Sequence, residues 1–381
     1  MFDIAIVGAG IAGASLAWTL AHDGGPPLRI ALLEAEDQPG RHSTGRSAAM
    51  FMESYGPPQA RALTRASRAF YASPPAGFCS VPLLSPRGAL YLAGPGQQAL
   101  MDETRAALQA TGTVIETLDA AAVLARVPVL RPDQVIGGLL EADAMDIDVA
   151  ALHQGFLAGA RRAGVALHCG FALQSAERVD EGWRLQPARG EPLLAARVVN
   201  AAGAWADPVA ALLGAAPQCI QPCRRAAFTF DAPPGVDTRG WPVLAALDDR
   251  GYFKPDAGVL LGSPANADPV AAHDVQPEEL DIALGIAWIE EVSTLTIRRP
   301  RHTWAGLRSF APDGELVIGA DPAVPSLFWL AGQGGYGIQS AAGAAALAAS
   351  LLRGDRASEG LTACGVRAEA MAPRHAVRPL V

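Results

Sequence analysis

The chain has 381 residues, 50% of them hydrophobic, which is enough to bury a large core and to form two domains. Its formal net charge of −8 provides no basic face for nucleic acid, so we expect no nucleic-acid partner. The acidic balance is mild and the 30 prolines are scattered, so the composition predicts neither a disordered tail nor a low-complexity linker.

Residues 3–34 predict a strand, a glycine-rich turn, a helix and a second strand in succession. Residues 4–7 are apolar, as in a strand buried on both faces of a parallel sheet, and a helix is expected over 11–22. The G-x-G-x-x-G spacing between them allows a tight turn, close approach to a pyrophosphate and close helix packing. The second strand, 30–33, ends at Glu34, where an acid that binds a ribose hydroxyl is expected. The residues predicted to hold a dinucleotide here are Gly8, Gly10, Ile11, Ala12, Gly13 and Glu34.

The run from 4 to 21 is uncharged and long enough to suggest a membrane helix or a signal sequence instead. Three glycines in its first half, Asp3 before it and the lack of a preceding basic residue favour the nucleotide-binding interpretation. No other stretch has the pattern of a membrane span. We therefore expect a soluble, cytoplasmic protein.

The cysteines show no C-x-x-C spacing and no paired Cys or His set nearby. They are Cys79, Cys169, Cys219, Cys223 and Cys364. This pattern predicts reduced, buried thiols and no metal site.

Residues 36–55 are rich in Gly, Ser and Thr and directly follow the second strand. Such a segment can offer NH and OH groups to phosphate or ring oxygens. The candidates are Ser43, Thr44 and Ser47, with Arg41 or Arg46. Each of them could instead belong to an ordinary surface loop with a helix cap.

The middle of the chain alternates predicted helices and strands. Helices are expected at 57–72, within 98–145 and at 149–163. Strands are expected at 81–92, 165–169, 171–177, 182–186 and 195–200. Asp148 is placed to cap the helix at 149–163. The small residues after the last strand, which include Ala202 and Gly203, would let the backbone pass close to the nucleotide.

From residue 221 to 304 the sequence becomes rich in β-type segments, interrupted by one predicted helix at 277–291. The strand segments are 226–230, 251–254 and 259–261. This change predicts a second domain, laid over the cofactor as a sheet.

A second glycine cluster lies near the end of the chain. A strand at 327–331 leads into the glycine-rich turn 332–337, and a helix of small residues is expected over 338–352. A helix N-terminus behind such a turn is a positive dipole end, which a reduced flavin needs because its pyrimidine side becomes negative. A nicotinamide enzyme has no such need, so this repeated geometry favours FAD over NAD.

Several motifs together resemble the D-amino-acid oxidase family of FAD oxidoreductases. They are GAGIAG at the opening, HSTGRSAA at 42–49, VVNAAGAWAD at 198–207, TWAGLRSFAPDGELVIG at 303–319 and GQGGYGIQ at 332–339. Within that family, residues 67–87 and 252–274 are similar to bacterial D-arginine dehydrogenase. The resemblance covers nearly the whole chain.

The resemblance implies an α/β fold with two domains. One is a Rossmann-like FAD-binding domain of the glutathione-reductase type, and the other is a substrate domain built on a mixed β-sheet. We place the FAD-binding domain at 1–80, 146–220 and 305–381, and the substrate-binding domain at 81–145 and 221–304. The implied reaction is hydride transfer from the substrate α-carbon to the flavin.

The resemblance also extends the set of cofactor-binding residues. The further residues it implies are Ala48, Ala202, Gly203, Trp205, Gly332, Gly334, Gly335, Tyr336, Gly337 and Ile338. No Cys or His stands where some relatives attach the flavin covalently, so we expect non-covalent, dissociable FAD. The electron acceptor is not identified by the sequence, and we expect a quinone or an artificial acceptor ahead of oxygen.

Two arginines carry the implied substrate site. The resemblance places Arg225 and Arg308 at the α-carboxylate of an amino-acid substrate, with the Tyr252 hydroxyl beside them, and two guanidinium groups suit bidentate capture of a carboxylate. The residues that it places near the α-amino group are Tyr55, Gln339 and the Gly335 carbonyl. No strong general base is evident, and an amine bound neutral would leave only a hydride to transfer. Either arginine could instead form a structural ion pair.

Departures from the D-arginine enzyme concern the substrate side chain. Ala89, Met50 and Met52 stand where that enzyme has glutamate, histidine and threonine, so a long cation would be buried without its partner at a cost of at least several kcal/mol. Arginine and lysine are therefore expected to be poor substrates, because the methionines form a soft apolar surface. Glu53 could restore a cation site. The expected side-chain pocket is Met50, Met52, Ala89, Val243 and Ala245.

Three functions remain open. The first is FAD-dependent oxidative deamination of D-amino acids with neutral or apolar side chains to 2-oxo acids and ammonia. The second is oxidation of a secondary amine or a 2-hydroxy acid, which the same arginines would hold. The third is a flavin-binding subunit without chemistry of its own, against which the retention of Arg225, Tyr252 and Arg308 argues.

Overall fold

The computed structural model describes residues 1–180 and 182–374. In chain order its strands are β1 (Phe2–Val7), β2 (Ile30–Leu33), β3 (Met50–Phe51), β4 (Leu84–Pro86), β5 (Ala89–Ala93), β6 (Glu116–Asp119), β7 (Gly137–Glu141), β8 (Met145–Ile147), β9 (Ala166–His168), β10 (Leu173–Val179), β11 (Gly182–Pro187), β12 (Leu193–Asn200), β13 (Gln221–Phe230), β14 (Val243–Ala246), β15 (Tyr252–Asp256), β16 (Val259–Ser263), β17 (Asp268–Pro269), β18 (His302–Phe310), β19 (Val317–Ala320) and β20 (Leu327–Ala331). Its α-helices are α1 (Ile11–His22), α2 (Pro58–Ala72), α3 (Gln98–Gln109), α4 (Ala120–Arg126), α5 (Val149–Arg162), α6 (Ala206–Leu212), α7 (Glu279–Val292), α8 (Ala341–Leu352) and α9 (Glu359–Ala363). Short 3₁₀ turns lie at Pro132–Gln134, Gly203–Trp205 and Ala368–Met371.

The first sheet has eight strands in the order β10-β11-β12-β1-β2-β9, with β20 beside β12 and β19 beside β20. β1 runs parallel to both β12 and β2. Ile4 and Ile6 pack into one hydrophobic cluster, whereas Ala5 and Val7 pack into another. Successive side chains of a strand point to opposite faces, so β1 is buried on both faces, as its composition predicts.

Small residues allow the helices on this sheet to pack closely. α1 contacts α5 and α8, and α8 also contacts α2. A Cβ atom added at Gly343 of α8 would lie 2.4 Å from the Leu63 carbonyl oxygen of α2, so glycine is required at this crossing. The uncharged run at 4–21 is therefore a strand, a turn and a 12-residue helix. Within the described residues, no helix combines the length and hydropathy needed to cross a membrane.

The second sheet has nine strands and is mixed, as expected. Its order is β17-β13-β16-β15-β14-β5-β7-β6, with β18 also paired to β13. β5 and β14 are parallel, and the other pairs are antiparallel. On one face Leu90, Leu244 and Phe253 pack with Trp288 of α7 in a hydrophobic core. The alternate residues of the same strands point to the opposite face, which carries the candidate site.

The predicted domain limits stay a prediction, although the two large sheets use different parts of the chain. The first sheet uses residues 2–33, 166–200 and 317–331, and the second uses 89–141 and 221–310. β18 runs across the predicted boundary at residue 305.

Two predictions between residues 81 and 145 were wrong. The segment 98–145 is not helical throughout, because it contains β6, β7 and the start of β8. β7 is buried at every residue and paired on both sides, so its uninterrupted apolar run could not be told from a helix by periodicity. The single strand at 81–92 is two strands, β4 and β5, separated at Gly88, whose φ is +76°.

The helix predicted from residue 338 begins three residues later than expected, at Ala341. Ile338 and Gln339 belong instead to the turn before it. The other long helices and the strands of the first sheet begin within about two residues of their predicted positions, which is the usual uncertainty of helix ends.

The N-cap of α5 provides a test of the local fold. The Asp148 carboxylate accepts a hydrogen bond from the Ala151 backbone N–H at 2.8 Å. Asp148→Ala should lower the free energy of unfolding by about 1 kcal/mol, because one terminal N–H loses its partner. Urea denaturation measures this change. Asp148→Asn keeps an acceptor and should remain close to the parent, and an unchanged midpoint in Asp148→Ala would contradict the capping role.

Candidate active site

Three adjoining cavities form a continuous groove. The nucleotide cavity, about 360 Å³, extends from Glu34 to Ser43 and Thr44. The central cavity, about 110 Å³, shares Ser43 and Thr44 with it. The side-chain cavity, about 480 Å³, shares Arg225 and Arg308 with the central cavity. An extended cofactor and a small substrate can therefore lie end to end.

The nucleotide cavity brings together much of the first motif. Predicted residues that line it are Gly8, Gly10, Glu34, Arg41, Ser43, Thr44, Ala202, Gly203 and Trp205. The Glu34 carboxylate accepts backbone hydrogen bonds from Ala9 at 3.2 Å and Glu36 at 3.1 Å. Its burial raises the pKa of this carboxyl. Glu34 is thus fixed at the end of β2 with its carboxylate at the cavity wall.

The glycine turn fits a nucleotide by its backbone. Gly8 has φ +102°, and a Cβ atom there would lie 2.4 Å from the Ala201 carbonyl oxygen. A Cβ atom at Gly13 would lie 1.9 Å from the Gly8 carbonyl oxygen, so only glycine lets α1 start so close to β1. The Ile11 N–H donates to the Thr44 hydroxyl at 3.0 Å, which joins the helix terminus to the 36–55 segment.

The central cavity joins the two glycine turns. Residues that line it are Ile11, Ser43, Thr44, Ser47, Ala48, Gly334, Gly335, Gly337 and Ile338. Arg46 also lies in its wall, but its guanidinium pairs with Asp274 and donates to the Val275 and Ala305 carbonyls at 3.0 and 3.1 Å. Arg46 therefore joins the segment to the second sheet, which is the structural alternative for this residue.

The side-chain cavity lies on the open face of the second sheet. Strand register places Ala89 opposite Val243 and Ala245 opposite Tyr252, and the paired residues share a face. Met50 and Met52 complete the wall from the 36–55 segment, and all the predicted pocket residues line this cavity. Met52, Ala89 and Val243 are buried together in a separate apolar cluster.

Two arginines lie side by side at the junction of the central and side-chain cavities. Arg225 is on β13, two residues after Cys223, so the side chains of these two residues point to the same face. Cys223 pairs directly with Arg308 of β18, so Arg308 lies on that face as well. Within the described chain neither guanidinium has an ion-pair partner; Arg225 Nε donates to the Asn266 carbonyl, and Arg308 Nη1 donates to the Tyr55 hydroxyl at 3.2 Å. Burial and the charge of Arg308 lower the pKa of Arg225 to about 10. The site therefore favours an anion.

The predicted amine-facing residues also meet in the side-chain cavity. A Cβ atom at Gly335 would lie 2.9 Å from the Tyr55 hydroxyl and 3.0 Å from Arg308 Nη1. Gln339 accepts from the Met52 N–H at 3.1 Å and donates to the Tyr55 carbonyl at 3.3 Å. Its amide thus holds the backbone of the 52–55 segment.

Several predicted residues lie outside the cavities. Ala12, Gly13, Gly332 and Tyr336 do not line any of the three, and the Tyr336 hydroxyl donates to the Gly314 carbonyl behind the turn. Glu53 is also absent from the side-chain cavity, because its carboxylate pairs with Arg68 Nε at 2.5 Å.

Among the lining residues of the side-chain cavity that sequence reasoning missed, three carry polar side chains: Tyr91, Lys254 and Asp249. Tyr91 and Lys254 each lie two residues after a predicted site residue, so strand alternation could have found them. Lys254 is neutralised by Asp146, 2.7 Å from its Nζ. Asp249 is exposed in the turn before β15 with φ +58°, and no sequence pattern marked it. The described residues contain no cluster of three His, Cys, Asp or Glu that could hold a metal.

The glycine-turn cavity, the buried acid at the end of β2 and the mixed second sheet are features of a two-domain protein that binds a dinucleotide. The family described as "DAO: FAD dependent oxidoreductase" matches residues 3–351. The chain belongs to this family, and its cofactor is FAD.

Relatives of known activity share about a quarter of the aligned residues. Rat mitochondrial dimethylglycine dehydrogenase is 28% identical over 236 residues, which cover 57% of this chain and 27% of that protein. The chain therefore spans only about a quarter of that relative's length. N-methyl-L-tryptophan oxidase of Salmonella agona is 26% identical over 287 residues, covering 71% of this chain and 73% of that protein.

Solved structures show the same fold. Glycine oxidase from Geobacillus kaustophilus has a TM-score of 0.84 at 20% identity, covering 99% of both chains. Iminodiacetate oxidase from Chelativorans sp. BNC1 has a TM-score of 0.81 at 22% identity, covering 97% of this chain and 99% of the other. At such identities the likeness concerns the fold. The similarity to D-arginine dehydrogenase is not confirmed by these comparisons.

Gly13 tests the nucleotide turn. Gly13→Ala should yield protein with little FAD, because the added Cβ collides with the Gly8 carbonyl and displaces α1 from the turn. The ratio of flavin to protein absorbance measures this in purified protein, and the parent should be yellow. Gly360→Ala, where an added Cβ meets nothing within 4 Å, is the control. Full flavin content in Gly13→Ala would show that the turn tolerates the displacement.

Proposed function

We propose that the protein oxidises the carbon–nitrogen bond of an amino acid with a neutral or apolar side chain, preferentially a D-amino acid. The observation that carries this proposal is the pair Arg225 and Arg308, two guanidinium groups that have no ion-pair partner among the described residues and lie beside a largely apolar cavity. A carboxylate bound there gains two charge-assisted contacts in fixed geometry. The products would be the 2-oxo acid and ammonia after hydrolysis of the imine.

The arginines orient the substrate as well as bind it. With the carboxylate held by Arg225 and Arg308 and by the Tyr252 hydroxyl, the α-amino group can reach Tyr55 and the Gly335 carbonyl in the same cavity. FAD, when bound, accepts the hydride from the α-carbon. The protein's task is to fix that carbon in position and to exclude water from it.

The same groove would hold FAD without a covalent bond. We assign the ribose hydroxyls to Glu34 and the pyrophosphate to the turn at Gly10 and the start of α1. Ser43, Thr44 and Ser47 offer hydroxyl groups farther along the groove, and the second glycine turn closes its other end. Acid or heat should release this FAD.

The wall of the side-chain cavity supports a neutral substrate side chain. Its buried apolar residues include Met52, Ala89 and Val243, and the buried Lys254 cation is already paired with Asp146. Because Glu53 is paired with Arg68, it does not supply the missing acid. A guanidinium or ammonium placed against Met52, Ala89 and Val243 would lose its hydration, and Asp249, an acid among the lining residues, is exposed in the turn before β15 rather than part of this wall.

Oxidation of an N-alkylated amino acid is the second candidate. The relatives named N-methyl-L-tryptophan oxidase and dimethylglycine dehydrogenase favour it, and the same arginines would hold such a substrate by its carboxylate.

Anaerobic mixing of the FAD-loaded protein with each class of substrate separates the candidates. Flavin bleaching by D-leucine supports the first and bleaching by N-methyl amino acids the second. Bleaching by 2-hydroxy acids alone, or by nothing, would favour a hydroxy-acid enzyme or a non-catalytic subunit. A quinone, an artificial acceptor and oxygen should then be compared.

The arginine pair is tested by substitution. Arg225→Met or Arg308→Met should lower kcat/KM, because the substrate carboxylate is left without its partner. The expected loss of transition-state stabilisation is roughly 2 to 5 kcal/mol. Steady-state kinetics with the best substrate measures this loss, and flavin content should stay normal. Arg301→Met removes an exposed arginine paired with Asp231 and should have little effect. Undiminished catalysis in both site variants would make these arginines structural.

Side-chain preference is tested at position 89. The parent should prefer neutral or apolar D-amino acids, and Ala89→Glu should raise kcat/KM for D-arginine relative to D-leucine. A charge-assisted contact of about 1.5 to 3 kcal/mol corresponds to roughly ten- to a hundredfold. The gain should be larger when Met50→His and Met52→Thr are added, because the methionines fill the space that a long cation needs.

The neutral variant Ala89→Gln is the control for this series. Glu141 lies directly opposite residue 89, so a new carboxylate there shares its surroundings with a second acid. A parent that already oxidises D-arginine better than D-leucine would contradict the proposed specificity.

A further inference from the structure

Glu141 is a buried carboxyl group beside the substrate cavity that the proposed reaction does not yet use. It lies at the end of β7, directly opposite Ala89 of β5. Directly opposite residues of antiparallel strands point to the same face, so its side chain shares the cavity face of the second sheet. Only 2% of Glu141 is exposed to solvent. A carboxyl group buried this deeply is rare unless it is paired or has a functional role.

A hydroxyl chain connects this carboxyl group to the cavity. The Ser54 hydroxyl donates a hydrogen bond to Glu141 Oε2. Tyr91 is the diagonal neighbour of Glu141 on the same face, because Ala89 pairs with Glu141 and Tyr91 pairs with Leu139. Ser54 lowers the pKa of Tyr91, and Tyr91 lines the side-chain cavity together with Tyr55 and Gly335. Tyr91, Ser54 and Glu141 therefore lie together between the cavity and a buried acceptor.

The proposed reaction requires that the substrate ammonium group lose a proton. An amino acid arrives near neutral pH with its amine as an ammonium ion, and hydride loss from the α-carbon needs the nitrogen lone pair. Arg225 and Arg308 make the site positive and so favour release of that proton. Tyr55, Gln339 and the Gly335 carbonyl do not include a base strong enough to keep it.

We propose that Glu141 receives the proton of the substrate ammonium through Tyr91 and Ser54. This inference rests on the function proposed above. The N–H bond of the ammonium breaks, and its electron pair stays on nitrogen. Tyr91 takes the proton as it passes its own to Ser54, and Ser54 passes its own to Glu141. The carboxylate becomes a carboxylic acid, and no electron is transferred in this step.

The surroundings of this proton relay, from Tyr91 through Ser54 to Glu141, agree with these roles. Burial and the neighbouring carboxylate of Glu53 raise the pKa of Glu141, while the Ser54 hydrogen bond opposes the rise. Burial, together with the charge of Glu141, raises the pKa of Tyr91, so the phenol stays protonated and can only pass a proton on. Tyr55 and Asp249 are the other titratable groups that act on Tyr91. Glu53 itself is held by Arg68.

Proton counting tests the relay without catalysis. The FAD-loaded protein is titrated with 2-aminoisobutyrate, which has no α-hydrogen and cannot be oxidised at that carbon. Calorimetry in two buffers of different ionisation enthalpy gives the protons released to solvent on binding. Near pH 7 the parent should release none, because Glu141 retains the proton, whereas Glu141→Gln should release one. Equal release by the two proteins would overturn the proposal.

Substrate kinetics supplies a second readout. Glu141→Gln, Ser54→Ala and Tyr91→Phe should each lower kcat/KM about tenfold or more at pH 7. The loss should disappear above the pKa of the free substrate amine, where the substrate binds already neutral. A merely structural carboxyl group would instead leave a loss that does not depend on pH. The last two variants keep the test valid if Glu141→Gln folds poorly.

Glu103→Gln is the control, since it removes an exposed acid of α3 that lies outside the path. It should leave the proton count and the pH profile close to those of the parent. If no amine or amino acid bleaches the parent flavin, the proposed function fails. If the parent is reduced normally and all three relay variants follow its pH profile, the relay alone fails.

Discussion

The repulsion between Arg225 and Arg308 is the constraint around which the candidate site is built. Neighbouring strands hold two cations on one face, and burial makes that arrangement costly until an anion arrives, as the lowered pKa of Arg225 records. The strand register fixes the backbone positions of the two arginines, and hydrogen bonds to the Asn266 carbonyl and the Tyr55 hydroxyl hold their guanidinium groups. Of the other charged residues that line the cavity, Lys254 is paired with Asp146, and Asp249 is exposed in the turn before β15.

Much of the first sheet could be predicted from the sequence because its signals are local. The apolar run of β1, the three glycines and Glu34 lie within one short stretch, and each answers a steric or electrostatic need that can be stated without the fold. The backbone distances at Gly8 and Gly13 show those needs directly. The predicted pocket residues also meet in one cavity, although they come from three separate parts of the chain.

The failures have a common physical origin. β7 lies between β5 and β6 and is buried along its whole length, so its identity depends on partners far away in sequence. Glu141 was overlooked for the same reason, because its place beside Ala89 follows from strand register alone. The start of α8 was placed too early because Ser340, which stands at its N-cap, was not recognised as a capping residue, and Ile338 and Gln339 remain in the turn. Local pattern fixes elements, whereas pairing between distant segments fixes which side chains face each other.

The two hydrogen bonds of Gln339 have a consequence for how specificity can change in this protein. The same amide holds the Met52 N–H and the Tyr55 carbonyl while Gln339 belongs to the second glycine turn, so one wall of the substrate pocket is tied to the cofactor end of the groove. The opposite wall, on β5 and β14, is supported from behind by the separate core of the second sheet. Substitutions on that sheet can alter the size and polarity of the pocket without moving the flavin turn. The two walls of the substrate pocket should therefore differ in how readily they accept substitutions.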